Sequence, residues 1–139
     1  MITVYDHQDR HLLPVDELQA LAERAVPACR AHAKTLNAPI CLLEEIEISL
    51  IDDETIEKVH IDFMDVPGAT DVITFDHGEI LISTETAEAQ RSENANSLFR
   101  EVSQYIVHGL LHLAGYGDKT DEEFAVMKEL QETVLSEVE

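Results

Sequence analysis

The chain has 139 residues, a length that predicts one domain, residues 1–139, with a hydrophobic core of its own. Nine Lys and Arg against 29 Asp and Glu give a formal net charge of −20, which argues against a general nucleic-acid coat protein, because such proteins bind phosphates through Lys and Arg. A hydrophobic content of 45% argues against disorder. The chain shows no apolar run of the ~18 residues that a membrane span needs, no signal-peptide pattern, and too few cysteines for a disulfide framework. We therefore expect an acidic, soluble, cytoplasmic protein without a membrane partner.

The N-terminal segment predicts a strand followed by a helix. Residues 2–8 begin with the alternation of a short strand, and Asp16 with Gln19 three positions later is typical of a helix N-cap and its reciprocal partner. Apolar residues with a 3.6-residue period follow: Leu18, Leu21, Ala22, Ala25 and Val26. Pro27 is expected to kink or break this helix.

The next segment predicts a half-buried strand and an acidic helix start. Residues 44–51 alternate apolar and polar side chains. The carboxylates of residues 52–54 favour the positive end of a helix that runs to about Met64. Pro67-Gly68 predicts a turn after it.

Two strands and a short helix are predicted next. Residues 70–75 and 78–83 are typical of strands joined through Asp76, His77 and Gly78. A short helix is expected from Thr84.

The C-terminal part predicts two longer helices. One begins near Ser97 and ends at Gly115 and Gly117, in the punctuation typical of helix C-termini. Thr120 with Glu123 forms a capping box for the last helix. The element order, βαββα in the middle of the chain, predicts an α+β fold: a small mixed sheet of about four strands packed with helices, and a histidine-bearing helix near the C-terminal end.

The segment 108–118, HGLLHLAGYGD, carries the candidate site. His108 and His112 are four residues apart, so both imidazoles project from one helix face and can bind one metal ion. Gly115 can end the helix in a left-handed conformation and turn the chain back, which would offer Asp118 as a third ligand. Three protein ligands and an open position are typical of catalytic zinc. The alternatives are a pair of packed or surface histidines and an Asp118 that serves only the turn.

The order of helix, glycine turn and third ligand parallels that of the metzincin peptidases. Those enzymes need Glu directly after the first histidine as a general base, and Gly109 stands there instead. A metal-dependent peptidase is therefore disfavoured.

The sequence resembles the YbeY family of endoribonucleases, because HGLLHLAGY is similar to that family's HGxLHLxGYDH hallmark. PGATDVITF and GEILIS resemble the two strand motifs that precede the hallmark in the family. The resemblance implies a zinc-dependent, single-strand-specific endoribonuclease in ribosomal RNA maturation and ribosome quality control. It also implies an α+β fold with zinc at the end of the histidine helix.

Two positions depart from the family pattern. Asp118 stands where the family commonly has a third histidine, and its harder oxygen ligand would admit other divalent ions besides zinc. Met64 stands where the family carries an Arg suited to phosphate. His60 and Lys58 are the nearest cationic residues.

For other residues the sequence gives weaker evidence of a functional role. Glu101 is interpreted as a solvated helix residue or a partner behind the metal ligands, and Thr70 and Asp71 as pocket-lining or turn residues. Four histidines are expected to be exposed: His7, His11, His32 and His77. Cys29 and Cys41 are expected to be small buried apolar residues.

The two C-terminal helices are expected to differ in burial. The first should contribute an apolar stripe to the core: Val102, Ile106, Leu110 and Leu113. The last is acidic and should be solvated, with these residues on its surface: Glu122, Glu123, Glu129, Glu132 and Glu137.

Three functions remain open: the ribonuclease, a metal hydrolase with another substrate, and a metal-containing module that binds a ribosomal or other basic protein. Met64 and the charge favour the last. Residues 1–38 carry five acidic and four basic residues, so this part, with Arg30 and Lys34 one helical turn apart, is where a weak and localised contact with single-stranded ribosomal RNA is expected. DNA is not expected as a partner.

Overall fold

The computed structural model describes residues 1–65, 68 and 70–139. Its elements are β1 Ile2–Asp6, α1 Val15–Ala31, α2 Pro39–Leu42, β2 Ile46–Ile51, α3 Asp53–Met64, β3 Val72–Phe75, β4 Glu79–Ser83, α4 Thr84–Gln90, α5 Leu98–Leu113 and α6 Asp121–Val138. This is the α+β fold that the sequence predicts; only the four-residue α2, which begins at a proline, has no counterpart among the predicted elements. No helix in the described ranges is long and apolar enough to cross a membrane.

The four strands form one mixed sheet in the order β1-β2-β4-β3. β1 pairs parallel with β2, and β2 pairs parallel with β4, whereas β3 runs antiparallel to β4. The β3–β4 hairpin turns at Gly78, which has a φ of 105°. A Cβ at this position would lie 2.7 Å from the Glu45 carbonyl oxygen, so the turn requires glycine.

The main core lies between one face of the sheet and helices α1, α5 and α6. Ile46, Ile48 and Leu50 all point into it, which confirms the alternation predicted for β2. The predicted stripe of α5 is also core, because Val102, Ile106, Leu110 and Leu113 are all fully buried. A smaller cluster on the other face joins Ile56 of α3 to the sheet residues Ile51, Ile73 and Leu81.

Gly109 lets α5 approach the sheet closely. A Cβ there would lie 2.8 Å from Ile80 Cγ2 and 3.2 Å from Thr74 Oγ1. Close packing against the sheet therefore also requires glycine at the position where the metzincin peptidases carry their glutamate.

The predicted N-cap at Asp16 is wrong. The helix α1 begins at Val15 after Pro14, and no side chain among the described residues caps it. Gln19 instead accepts a hydrogen bond from Val4 N at 2.7 Å and donates one to Ile2 O at 2.8 Å. β1 is an edge strand, so its outer backbone groups need partners, and the Gln19 amide supplies both an acceptor and a donor.

The break expected at Pro27 is absent, because α1 continues through it to Ala31. Pro27 and Glu23, whose carbonyl would accept from the missing N–H, both lie on the exposed face of the helix. Water can therefore satisfy this carbonyl, while buried residues before and after the proline hold both halves against the core.

Three other predicted helix starts are confirmed. Asp52 caps α3, Ser97 caps α5, and Thr120 with Glu123 forms the capping box of α6. The predicted turn at Pro67-Gly68 lies partly outside the described residues.

Candidate metal centre

The two histidines of the site lie near the C-terminal end of α5 on one helix face. The ring centroids of His108 and His112 are 4.6 Å apart and the ring planes are nearly perpendicular. The two Nε2 atoms lie 3.0 Å apart. The spacing of one helical turn thus brings both nitrogens to one point, as the sequence predicts.

The turn after α5 brings Asp118 to the same point. Gly115, with φ 102°, ends the helix, and its N–H donates to His112 O while Tyr116 N–H donates to Leu111 O. These two bonds form a Schellman motif, which reverses the chain at the helix end. Asp118 Oδ2 then lies 3.2 Å from His108 Nε2 and 3.5 Å from His112 Nε2.

The far side of each imidazole is held by a hydrogen-bond acceptor. His108 Nδ1 lies 2.5 Å from Gln131 Oε1 on α6, and His112 Nδ1 lies 2.8 Å from the Tyr116 carbonyl oxygen. Both acceptors require a proton on Nδ1, which leaves a lone pair on each Nε2 in the neutral ring. Partners of this kind orient the histidines of metal sites and set their tautomer.

The three groups suit a divalent cation. Their separations of 3.0 to 3.5 Å are close to the ~3.3 Å edge of a tetrahedron with zinc bonds of ~2.0–2.1 Å. Burial and then the neighbouring His108 lower the pKa of His112, so this ring is neutral near neutral pH. Two facing lone pairs and a carboxylate are unfavourable without a positive charge between them. The group His108, His112 and Asp118 can therefore hold a metal ion.

Two cavities flank this centre. One, of about 480 Å³, is lined on its polar side by Asp76, Asp118 and Lys119 beside His112. The other, of about 460 Å³, extends from His108 along α5 to Glu101. Both have volumes in the range of small-molecule sites.

The interpretation of Glu101 as a solvated helix residue is wrong. Its side chain is 1% exposed, and its carboxylate accepts hydrogen bonds from the side-chain nitrogens of Asn94 and Asn96 at 2.9 to 3.1 Å. It does not contact His108 or Gln131 through any hydrogen bond among the described residues. Burial and the charge of Glu101 raise the pKa of Tyr105 far above its usual range, so this phenol stays protonated.

The remaining predicted site residues are placed apart from the metal centre or at its edge. Asp71 lines the cavity that extends to Glu101 and accepts from Val72 N at 2.8 Å. Met64 is 45% exposed at the end of α3, and His60 Nδ1 lies 3.0 Å from Gly68 O. Of the four histidines expected to be exposed, His7 and His77 are exposed, whereas His11 and His32 are half-buried.

The two cysteines also differ from each other. Cys29 is fully buried, as predicted, whereas Cys41 is only partly buried. Burial, and to a lesser degree Glu137, raises the pKa of Cys29 to about 12.

The prediction that Arg30 and Lys34 lie one helical turn apart is wrong. α1 ends at Ala31, so Lys34 is not one helical turn beyond Arg30. Arg30 Nε donates to Ile40 O, and Arg24 Nε donates to Val138 O. Both arginines remain exposed, so these bonds orient each guanidinium group without burying it.

Comparison with known proteins gives a family match over nearly the whole chain. The sequence profile described as "Endoribonuclease YbeY" matches residues 3–139. The chain belongs to the YbeY family. A family member named Endoribonuclease YbeY from Caldanaerobacter subterraneus subsp. tengcongensis is 30% identical over 140 residues, covering 85% of each chain. One from Corynebacterium jeikeium is 33% identical over 155 residues, covering 97% of this chain and 80% of the relative.

A solved structure shares the fold of this chain. The solution structure of TM1509 from Thermotoga maritima superposes with a TM-score of 0.62 over 99% of this chain and 91% of that chain, at 24% identity. This likeness shows the shared fold.

Two hydrogen-bond partners of the histidines had no signal in the sequence. Gln131 lies 23 residues beyond His108, and only the packing of α6 against α5 brings it to the imidazole. The Tyr116 carbonyl belongs to the main chain, so no residue type marks it. The burial of Glu101 follows from the loop that carries Asn94 and Asn96, which local periodicity does not predict.

Proposed function

We propose that this chain is a metal-dependent endoribonuclease that cleaves single-stranded regions of ribosomal RNA during ribosome maturation. In this proposal His108, His112 and Asp118 hold one divalent ion, zinc by the preference of two imidazoles and a carboxylate. Membership of the YbeY family, whose relatives are named endoribonucleases, supports the substrate. The site geometry supports the metal.

The observation that carries the proposal is the convergence of two Nε2 lone pairs and Asp118 Oδ2, with both Nδ1 atoms held from behind. A bound divalent ion supplies Lewis acidity that polarises a phosphate and activates a water for attack. Gln131 and the Tyr116 carbonyl keep the histidines in the ligating tautomer. Lys119, which follows Asp118 and lines the adjacent cavity, adds a positive charge for a phosphate group.

Metal content and cleavage are measured together to test the proposal. The purified protein and its His112→Ala variant are analysed for bound metal by mass spectrometry and for cleavage of single-stranded and double-stranded RNA. We expect one metal per chain and single-strand cleavage in the wild type, and loss of both in the variant. His77→Ala is the matched control, because His77 is exposed outside the centre. A wild-type protein that binds no metal would contradict the site.

A second function is favoured by one observation, the exposed Met64 at the family's arginine position. Without that cation the chain would keep its metal and bind a basic ribosomal protein instead of cleaving RNA. The Met64→Arg variant separates the two functions. If the wild type binds metal but does not cleave RNA, and Met64→Arg gains cleavage, the loss of the cation has turned the chain into a binding module. Cleavage of RNA by the wild type supports the ribonuclease instead.

A further inference from the structure

The face of the sheet that points away from α1, α5 and α6 is only partly covered. The helix α3 packs on this face through the buried Ile56. Beside α3 an open groove of about 650 Å³ remains, and its apolar lining comes from the helix and from three strands: Ile51, Val59, Phe63, Phe75 and Leu81. We refer to this space as the sheet groove.

Aromatic side chains are exposed in the sheet groove. Phe63 is 72% exposed, and its ring centroid lies 5.7 Å from that of Phe75 in an edge-to-face arrangement. The Phe75 ring in turn stacks on His77, with the centroids 5.4 Å apart. Neighbouring exposed apolar side chains in a groove with a polar rim are typical of an interaction site.

One end of the sheet groove is acidic. Glu47 of β2 and Glu79 of β4 are partners in the parallel register, so both side chains lie on this face of the sheet. Like charges at paired positions of adjacent strands are destabilising. Glu45 lines the same hollow together with His77. Among the described residues, His77 is the only ion-pair partner of these three carboxylates, with its Nε2 atom 3.3 Å from Glu79 Oε1.

The segment that forms the sheet groove is poor in cations. Residues 39–83 supply every lining residue except His7, and they contain 12 acidic residues and one basic residue, Lys58. Lys58 is not part of the lining. This face therefore repels the phosphates of a nucleic acid and attracts a segment that carries Lys or Arg.

We infer that the sheet groove binds a segment of a partner protein that combines apolar side chains with Lys or Arg. The apolar side chains cover Phe63 and Phe75, and the cations neutralise the acidic end at Glu47 and Glu79. The helix α5, which carries both histidines of the candidate metal centre, packs on the opposite face of the sheet. The inference therefore applies whether or not the chain cleaves RNA.

Synthetic peptides test the inference with the purified full-length chain. Three peptides of about ten residues are compared by isothermal titration calorimetry: alternating Lys and Leu, alternating Lys and Ser, and alternating Glu and Leu. We expect the Lys–Leu peptide to bind at least about tenfold more tightly than the other two, because it alone matches both the apolar lining and the acidic end. Equal binding of the Lys–Leu and Lys–Ser peptides would mean that only the general acidic charge is recognised, and would overturn the inference.

An exposed apolar side chain can be removed from the sheet groove without disturbing the core. Phe63→Ser should weaken the Lys–Leu peptide at least about fivefold. Leu36→Ser is the matched control, because Leu36 is 89% exposed and lies outside the groove, and it should leave the affinity unchanged. An affinity in Phe63→Ser equal to that of the wild type would contradict the groove.

The acidic end is tested by removing one of its paired charges. Glu47→Gln should weaken the Lys–Leu peptide about two- to fivefold at low salt and raise the urea midpoint of the free protein, because it relieves the repulsion from Glu79. Glu129→Gln removes the same charge at an exposed position of α6 and should leave peptide affinity unchanged. Equal losses of affinity in the two variants would overturn the inference.

Two further measurements separate this inference from the proposed function. Binding of single-stranded RNA that is weakened by Phe63→Ser and not by Leu36→Ser would assign the sheet groove to RNA and overturn the inference. Peptide affinity that is unchanged in His112→Ala supports a groove separate from the metal centre. If the wild type cleaves no RNA and peptide binding still follows the groove variants, the inference is supported and the ribonuclease is contradicted.

Discussion

At the residue scale, the two candidate ligands His108 and His112 are oriented by groups that lie far from them in sequence or belong to the main chain. Gln131 Oε1 fixes His108 from α6, and the Tyr116 carbonyl fixes His112 from the glycine turn. The residue types and spacing of the ligands are visible in the sequence, but their tautomer is determined by these partners.

Removal of the Gln131 acceptor should weaken metal binding. In Gln131→Met the His108 ring loses its partner and can take the other tautomer, so we expect metal affinity to fall ~10- to 100-fold. Competition with a fluorescent zinc chelator measures it. Gln8→Met is the matched control, and unchanged affinity in Gln131→Met would show that the ring is oriented without Gln131.

The two cysteines should differ in reactivity. Burial raises the pKa of Cys29 to about 12, so its thiol stays protonated and unreactive at any pH below that value, whereas the partly exposed Cys41 is accessible. At pH 8 we expect the native Cys41→Ala variant not to react with Ellman's reagent and to release one thiol after unfolding in guanidinium. Rapid labelling of native Cys41→Ala would contradict the buried position of Cys29.

At the element scale, α5 lies at the centre of the core and carries both histidines of the candidate metal centre. Its apolar stripe and its capping serine are readable from the sequence, because periodicity and N-cap chemistry are local. The short distance between α5 and the sheet cannot be read from the sequence, because it depends on which residues lie opposite Gly109.

Gly109→Ala tests this close approach. Alanine gains about 1 kcal/mol in helix propensity, but its Cβ would meet Ile80 at 2.8 Å, and overpacking costs typically ~1–3 kcal/mol. We expect net destabilisation of up to ~2 kcal/mol by urea unfolding. In an Ile80→Ala background, Gly109→Ala should lower the free energy of unfolding by less. An equal loss in both backgrounds would show that contact with Ile80 is not the cause of the destabilisation.

The edge strand β1 gives a second test at this scale. Gln19→Ala leaves Val4 N and Ile2 O without their side-chain partner, which should lower the free energy of unfolding by ~1–3 kcal/mol. Asp16→Ala, at the predicted cap that makes no capping bond, should change it by less than about 0.5 kcal/mol. Urea denaturation measures the free energy of unfolding of both variants. A larger loss in Asp16→Ala than in Gln19→Ala would support Asp16 as the helix cap.

At the scale of the whole molecule, charge limits how RNA can be bound. The net charge is −20, because 29 acidic residues stand against nine Lys and Arg. We therefore expect few contacts between this chain and RNA phosphates.

A shallow salt dependence should follow from few phosphate contacts. Each contact with single-stranded nucleic acid contributes a slope of about −0.7 to log K against log salt. We expect a slope between 0 and about −2 for a single-stranded oligonucleotide at constant metal concentration, measured by fluorescence anisotropy. A slope of about −4 or steeper would reveal a basic binding path that the structure does not show.

The sequence by itself determined the strands and most helices, the core stripe of α5, and the three residues that converge at the candidate metal centre, because all of these depend on periodicity, caps and short spacings. Only the tertiary structure decided that Glu101 is buried, that Gln19 binds β1, that α1 continues through Pro27, and that Gln131 holds His108. Each of these depends on a group brought near by packing, or on which side of a helix faces water. Neither the packing neighbours nor the solvent-facing side can be predicted from the local sequence in these cases.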